Sequence, residues 1–413
     1  MGRIAIVDGV RTPFVKAWTL FEGMPAQRLG AIAVRELLEM THLDARSVDE
    51  VILGSVAQSP EASNIARIVS LYAGIPVEKR AYTISRNCAS GIESVTSASE
   101  KIKTALDEIV ISGGTESMSN MPLLYGKKMT KVFMRLNRAK SIFEKLGLLL
   151  SIRPSHFKPI IALQLGLTDP VCGLNMGQTA EVLAKEYGIS RKEQDEFALM
   201  SHKRAIDARD RLKEEIVPVA VAPKFKDMVD SDNGPREGQT IEALEKLKPI
   251  FDRHTGTVTV GNSCQVTDGA CALLVMDEDK AKALGYKPLG YLKSYTYVGV
   301  EPSKMGIGPA YAIPEVLKKS GIDLKDIDLV EINEAFAVQV LACLKQLYSD
   351  GYDVGIEKLN VNGGAIALGH PVGVTGSRLI LTILKELERR GKSLGLISLC
   401  VGGGQGAAII LER

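Results

Sequence analysis

The chain has 413 residues, enough for two or three packed units, and its 45% hydrophobic and 24% charged residues are those of an ordinary globular protein. Lysine and arginine total 51 against 49 acidic residues, so net charge points to no nucleic-acid partner. The six cysteines (88, 172, 264, 271, 343 and 400) form no CxxC pair, and a chain this long needs no disulfide framework. With no signal-peptide organisation at the start and no uninterrupted apolar run long enough to span a bilayer, the expectation is a cytoplasmic protein in a reducing compartment.

The first strand pattern is Ile4 to Val7. Gln27 to Met40 follows with apolar residues at helical spacing, and Val48 to Leu53 is again strand-like. A short strand, Ala81 to Ile84, then runs into Ser85-Arg86-Asn87-Cys88-Ala89-Ser90-Gly91, where a helical pattern begins. Cys88 therefore falls at a strand-to-helix turn, and the unpaired N–H groups and macrodipole of a helix start are expected to lower its pKa. Small neighbours leave room for a carbonyl to approach the sulfur. Taken alone, the motif favours the plainer reading of a buried thiol packing as a small hydrophobe.

A strand over Ile109 to Ser112 ends at Gly113-Gly114-Thr115-Glu116-Ser117. Met121 to Gly177 and Val217 to Ile250 are irregular and read as an inserted lobe, with Ser190 to Arg211 between them as a solvated, charge-rich helix. Within the lobe, Lys127 to Leu150 interleaves seven Lys and Arg residues with Val132, Phe133, Met134, Ile142, Phe143 and Leu148 to Leu150, and only Glu144 is acidic. Such a segment lies on an anionic membrane, docks on a partner, or packs its apolar face on its own domain.

The second part of the chain repeats the first. Ile322 to Ile332 matches Leu43 to Leu53 at one constant offset, placing Asp323 on Asp44, Ile327 on Val48 and Asp328 on Asp49. A glycine-rich turn and helix (Gly363 to Arg390) and a strand (Leu394 to Leu399) then parallel the cysteine helix and its following strand. Two similar α/β halves about a pseudo-twofold axis bring equivalent loops to one place.

Four polar elements fall on those loops: Cys88; Asn333-Glu334-Ala335-Phe336-Ala337 after a strand; Asn362-Gly363-Gly364 through Gly369-His370-Pro371; and Cys400-Val401-Gly402-Gly403-Gly404. A thiol nucleophile needs a base, for which His370 is suited, and an oxyanion needs donors, which glycine N–H groups supply. Cys400 provides a second acid/base. Singly, each has a structural alternative, with His370 a turn residue, Cys400 a buried thiol and Asn333 a helix cap. His42, His156, His202 and His254 lie outside these elements and read as structural or surface residues.

These elements, with Gly113 through Ser119, Met176-Gly177-Gln178-Thr179-Ala180-Glu181 and Gly261-Asn262-Ser263-Cys264 through Ala270, resemble the thiolase family over essentially the whole chain. The resemblance implies the α/β thiolase fold: two similar halves in a five-layered αβαβα arrangement, residues 1–278 holding Cys88 and an inserted loop domain over about 120–250, and 279–413 holding Asn333, His370 and Cys400. It also implies 3-ketoacyl-CoA thiolysis through an acylated Cys88, as in fatty-acid β-oxidation, with acetoacetyl-CoA condensation as the alternative and a non-catalytic acyl-CoA-binding scaffold as an alternative of another class.

By the same resemblance His370 activates Cys88, and Cys400 exchanges a proton with the acetyl-CoA α carbon. Asn333, through a water, and His370 hold one oxyanion; the backbone amides of Cys88 and Gly402 hold the other. Coenzyme A is co-substrate, with no metal or redox cofactor, and Ser263, Cys264, Asn175 and Met176 stand where CoA contacts are expected. Two of these depart from the common pattern, Asn175 from a histidine and Cys264 from a serine. Implied partners are CoA thioesters and a second copy in a homodimer or higher homo-oligomer. The stretch 127–150 resembles the insertion of β-oxidation-complex thiolases, which implies a hydratase/dehydrogenase subunit or peripheral membrane contact, although those subunits commonly carry histidine at the Asn333 position.

Overall fold

A computed structural model describes residues 2–413. The first half supplies strands β1 (Ile4–Arg11), β2 (Glu50–Gly54), β3 (Arg80–Ile84), β4 (Ile109–Glu116) and β5 (Thr267–Asp277), with helices α1 (Ala26–Thr41), α2 (Ile65–Tyr72) and α3 (Ser90–Lys103). Between β4 and β5 lie α4 (Lys127–Arg138), α5 (Ile142–Leu150), α6 (Met176–Glu186) and α7 (Arg191–Asp207). The second half supplies β6 (Gly290–Gly299), β7 (Leu329–Ile332), β8 (Leu394–Val401) and β9 (Gln405–Glu412), with α8 (Gly308–Ser320), α9 (Ala337–Ser349) and α10 (Thr375–Arg390).

The strand order is β7-β8-β9-β6-β1-β5-β4-β2-β3. Among the described residues, strand pairing between the halves is limited to three residue pairs, Ile4 to Ile6 of β1 against Gly290 to Leu292 of β6, so the continuous sheet narrows there into two halves, each acting as a sheet of its own. Alternation along each strand settles the layering. In the first sheet Ala5, Val51, Leu53 and Ile111 face α1 and α2, while Ile6, Ile52, Val110 and Leu273 face a core shared with α3 and α10. In the second, Ile397, Leu399 and Ile409 face that shared core, whereas Leu396, Ala408 and Ile410 face α8 and α9. The layers are therefore α1/α2, sheet, α3/α10, sheet, α8/α9, which is five.

The internal repeat is visible in chemistry as well as shape. Asp49 accepts from the N–H groups of Glu108 and Ile109 (2.8 and 3.0 Å), fixing the start of β4. Asp328 accepts from Ser393 and Leu394 (both 3.0 Å), fixing the start of β8.

The helix expected over Ser190 to Arg211 is not merely solvated. Gln194, Phe197, Ala198, Ser201 and Ala205 of α7 are buried, a narrow stripe of small and apolar residues that dense charge on the other faces conceals in the sequence. Conversely, α4 and α5 bury only Met129, Val132 and Leu148, leaving Ile142 (72%), Phe143 (82%) and Leu150 (79%) exposed. Most of the apolar face of this segment is thus left unpacked.

The central layer brings the candidate loops together. A Cβ on Gly91 would lie 2.6 Å from the Ser377 nitrogen, and one on Gly376 would lie 2.5 Å from the Ile92 nitrogen. The first turns of α3 and α10 are in backbone contact, which only glycine permits. Cys88 is two residues before α3, and His370 five before α10.

Candidate active site

Cys88 follows β3 in a turn closed by Ser90, whose hydroxyl donates to the Asn87 carbonyl (2.7 Å) and accepts from the Arg86 N–H (2.8 Å). The residue is partly buried, and protein surrounds the thiol closely enough that burial pushes its pKa up. The Gly402 N–H and its own N–H oppose that shift by reaching the sulfur, and buried Glu116 adds to it. The lowered pKa expected from the helix start is therefore not found. Desolvation of the thiolate outweighs the few donors at this short turn, so the nucleophile rests as a thiol and needs a base.

His370 is buried, and burial, with the Arg378 guanidinium nearby, lowers its pKa to about 3. Its Nδ1 lies 2.6 Å from Thr375 Oγ1, and that hydroxyl donates to the Pro371 carbonyl at 3.1 Å. With its proton committed to Pro371, Thr375 accepts from Nδ1–H, which leaves Nε2 with the lone pair. Nε2 faces Asn333 Nδ2 at 3.5 Å, and Asn333 Oδ1 is buried without a partner among the described residues. An unsatisfied amide oxygen at this point is a ready seat for a water. The His370 N–H donates to Thr267 Oγ1 (3.1 Å), which fixes the preceding Gly369 turn.

Cys400 is fully buried at the end of β8, and its pKa is pushed well above the ordinary thiol value by burial and by Cys88, Cys343 and Cys264 around it. Cys264 is likewise raised, to about 12, by burial and Cys88. These thiols lie close enough that charge on one is felt by the others. Gly402 follows one residue after β8, with Met176 Sδ on the side where a side chain would project.

The structure thus groups Cys88 with Gly402, Asn333 with His370, and Cys400 and Cys264 around Cys88. Two other candidates are engaged locally. Asn175 caps α6, its Oδ1 accepting from the Gln178 N–H at 2.9 Å, and the Ser263 hydroxyl donates to the Thr259 carbonyl at 2.7 Å.

Three supporting residues were given no role from sequence. Thr375 sets the His370 tautomer. The buried Glu116 carboxylate accepts from the N–H groups of Val56, Ala57 and Gly373 (3.0, 2.8 and 2.8 Å), binding the loop after β2 to the loop after His370. Glu334 accepts from Ser201 Oγ (2.6 Å) and Asn360 Nδ2 (2.8 Å) and holds the Asn333 loop against α7. The legible signal was a carboxylate inside a motif otherwise made of small residues.

The family models described as thiolase N-terminal domain and thiolase C-terminal domain match residues 4–279 and 286–413. The chain belongs to the thiolase family. A 3-ketoacyl-CoA thiolase of Pseudoalteromonas translucida is 41% identical over 426 residues, covering 99% of this chain and 97% of the relative. The acetyl-CoA acetyltransferase of Bacillus anthracis superposes with a TM-score of 0.89 at 37% identity, covering 100% of this chain and 99% of its own. The human mitochondrial 3-ketoacyl-CoA thiolase in complex with CoA superposes with a TM-score of 0.87 at 38% identity, covering 100% and 98%. For a thiolase, the chemistry to explain is acyl transfer through a thiol, and the loops just described converge on one.

Proposed function

We propose that this thiolase cleaves 3-ketoacyl-CoA with CoA, giving acetyl-CoA and a shortened acyl-CoA, in fatty-acid β-oxidation. The observation that carries the mechanism is the grouping of Cys88 with a second buried thiol, Cys400, in the layer where the helix starts that follow Cys88 and a neutral, tautomer-fixed His370 are in backbone contact. Similarity to 3-ketoacyl-CoA thiolases over 99% of the chain supports the choice of substrate.

His370 Nε2 takes the Cys88 proton, and the thiolate attacks the 3-keto carbon. The C2–C3 bond breaks with its electron pair left on C2, giving the enolate of acetyl-CoA, whose oxygen is held by the protonated His370 and an Asn333-bound water. Cys400 protonates C2, and acetyl-CoA leaves. A new CoA gives its thiol proton to the Cys400 thiolate and attacks the acyl-Cys88 carbonyl. The tetrahedral oxygen is held by the N–H groups of Cys88 and Gly402. Cys88 departs and recovers its proton from His370.

Thiolysis of acetoacetyl-CoA and a long-chain 3-ketoacyl-CoA, followed side by side as loss of 3-ketoacyl absorbance, tests the reading. Activity on the long chain supports it. Activity on acetoacetyl-CoA alone replaces it with the short-chain reading, and inactivity on both leaves a CoA-binding scaffold.

Two partner readings have their own support. Among the described residues β3 pairs only with β2 and leaves one edge open, which suits a second copy in a homodimer. The α4–α5 lobe combines exposed Phe133, Ile142, Phe143 and Leu150 with Lys127, Lys131, Arg135 and Lys145, none of them in an ion pair among the described residues. That combination suits an anionic membrane surface, with no helix of the described residues long and apolar enough to cross one. Flotation with anionic but not neutral vesicles supports it. Binding to neither, with capture of a hydratase/dehydrogenase subunit, transfers the surface to that partner.

A further inference from the structure

Asn87, immediately before the nucleophile, has φ +45°, a left-handed conformation that asparagine tolerates better than most residues. Its carbonyl accepts from Ser90 Oγ (2.7 Å) and the Ser90 N–H (3.0 Å), so the turn is locked upon itself. That leaves the side chain free to reach across to the other half of the molecule, where Nδ2 donates to the Gly402 carbonyl at 2.7 Å. The acceptor is a carbonyl, so the atom facing it must be the amide nitrogen.

On the far side of this contact the backbone is unusually free. Gly402 is followed by Gly403 at φ +90° and Gly404 at φ +83°, and a run of three glycines has more accessible conformations than any other tripeptide. Gly404 is pinned by its carbonyl, which accepts from the Val300 N–H (2.8 Å), and by close packing on Pro302. Gly402 has the Asn87 amide, and its own N–H lies on the side of the Cys88 sulfur, whose pKa it lowers. One amide thus restrains the residue whose N–H addresses the reacting atom.

We infer that Asn87 is a positioning residue for acyl transfer: by clasping the Gly402 carbonyl across the two halves, it aims the Gly402 N–H at the Cys88 sulfur and at the oxygen of the acyl group carried there. The inference rests on the thiolase reading above. Its specificity lies in the donor, because an aspartate of the same shape would present an oxygen to an oxygen. The junction itself does not depend on Asn87. Arg86 makes a parallel crossing to Gln405 Oε1 (3.2 Å) and lies over the Tyr297 ring at 4.1 Å.

Asn87→Gly removes the donor while suiting the left-handed backbone, and Asn87→Asp keeps shape while removing the donor. For both, thiolysis kcat is expected to fall about 10-fold or more, less than the loss of a whole oxyanion donor, with KM for CoA within about 2-fold and the urea midpoint unchanged. Independently of turnover, the pH of half-maximal Cys88 alkylation by iodoacetamide should rise in both variants, because the sulfur's charge loses an aligned donor. Wild-type kcat with a wild-type alkylation profile overturns the inference, as does a kcat loss that merely follows a fall in urea midpoint. If the wild-type protein cleaves no 3-ketoacyl-CoA, the thiolase reading fails, and the alkylation profile alone then decides whether the clasp aims the N–H.

Discussion

The central layer and the α4–α5 lobe are both helical and both rich in apolar side chains, yet they use them oppositely. In the central layer Ile92, Val95, Leu379 and Ile383 are fully enclosed, and backbone contact between Gly91 and Gly376 fixes the two helix starts. In the lobe, Phe143 and Leu150 face outward beside basic residues that form no ion pair among the described residues. A site that must hold reacting groups to within fractions of an ångström is built where packing leaves no freedom. A surface that must meet something else is built where packing is incomplete.

The contrast is broken most severely in the central layer. Gly91→Ala puts a methyl against the backbone of Val374, Gly376 and Ser377. A destabilisation of about 1–3 kcal/mol is expected, with loss of thiolysis beyond what the unfolded fraction accounts for; urea titration and residual activity check both. An alanine with wild-type kcat would mean the helix starts need not touch.

A smaller effect comes from the tautomer. Thr375→Val keeps the shape but removes the acceptor for His370 Nδ1–H. We expect kcat to fall about 10-fold, within the range for general-base catalysis, with little change in KM for CoA.

The pH dependence sharpens the same point without a mutation. The His370 pKa is lowered to about 3, so the base-competent neutral form is present at any higher pH and is lost only as pH falls through that value. The acid limb of kcat/KM should therefore lie well below the ordinary imidazole value of about 6.5, and a limb at that value would contradict the burial argument. The sign for stability follows. Below about 6.5 the unfolded chain takes up a proton that folded His370 refuses, so this group makes folding less favourable as pH falls from there toward 3.

The smallest effect on the fold belongs to the lobe. Phe143→Asp should move the urea midpoint by no more than about 0.5 kcal/mol equivalent, as for exposed sites generally, and leave thiolysis intact while reducing flotation with anionic vesicles. A large destabilisation would mean that the lobe packs on its own domain after all.

Much of this contrast was legible in the sequence. The repeat relating Leu43–Leu53 to Ile322–Ile332 was readable because the same job, an aspartate fixing the start of the next strand, is done twice with the same residue. Cys88, His370, Cys400 and Asn333 stood out because reactive residue types beside glycines are unusual. The buried stripe of α7 was hidden by the charges around it. Asn87, Thr375 and Glu116 escaped assignment for a different reason: each acts through a partner remote in sequence, Gly402 for the first and Gly373 for the last, or through a tautomer that no spacing reveals. The Cys88 pKa was misjudged because helix-start donors can be counted along the chain, whereas the desolvation opposing them depends on the whole fold.

The most direct test of the account is mass spectrometry of the protein mixed with a 3-ketoacyl-CoA and no free CoA. The account predicts that acetyl-CoA is released and that the shortened acyl group remains on Cys88 alone, is removed when CoA is added, and is absent from Cys88→Ser. Acylation of another cysteine, or release of acetyl-CoA with Cys88 unmodified, would contradict it.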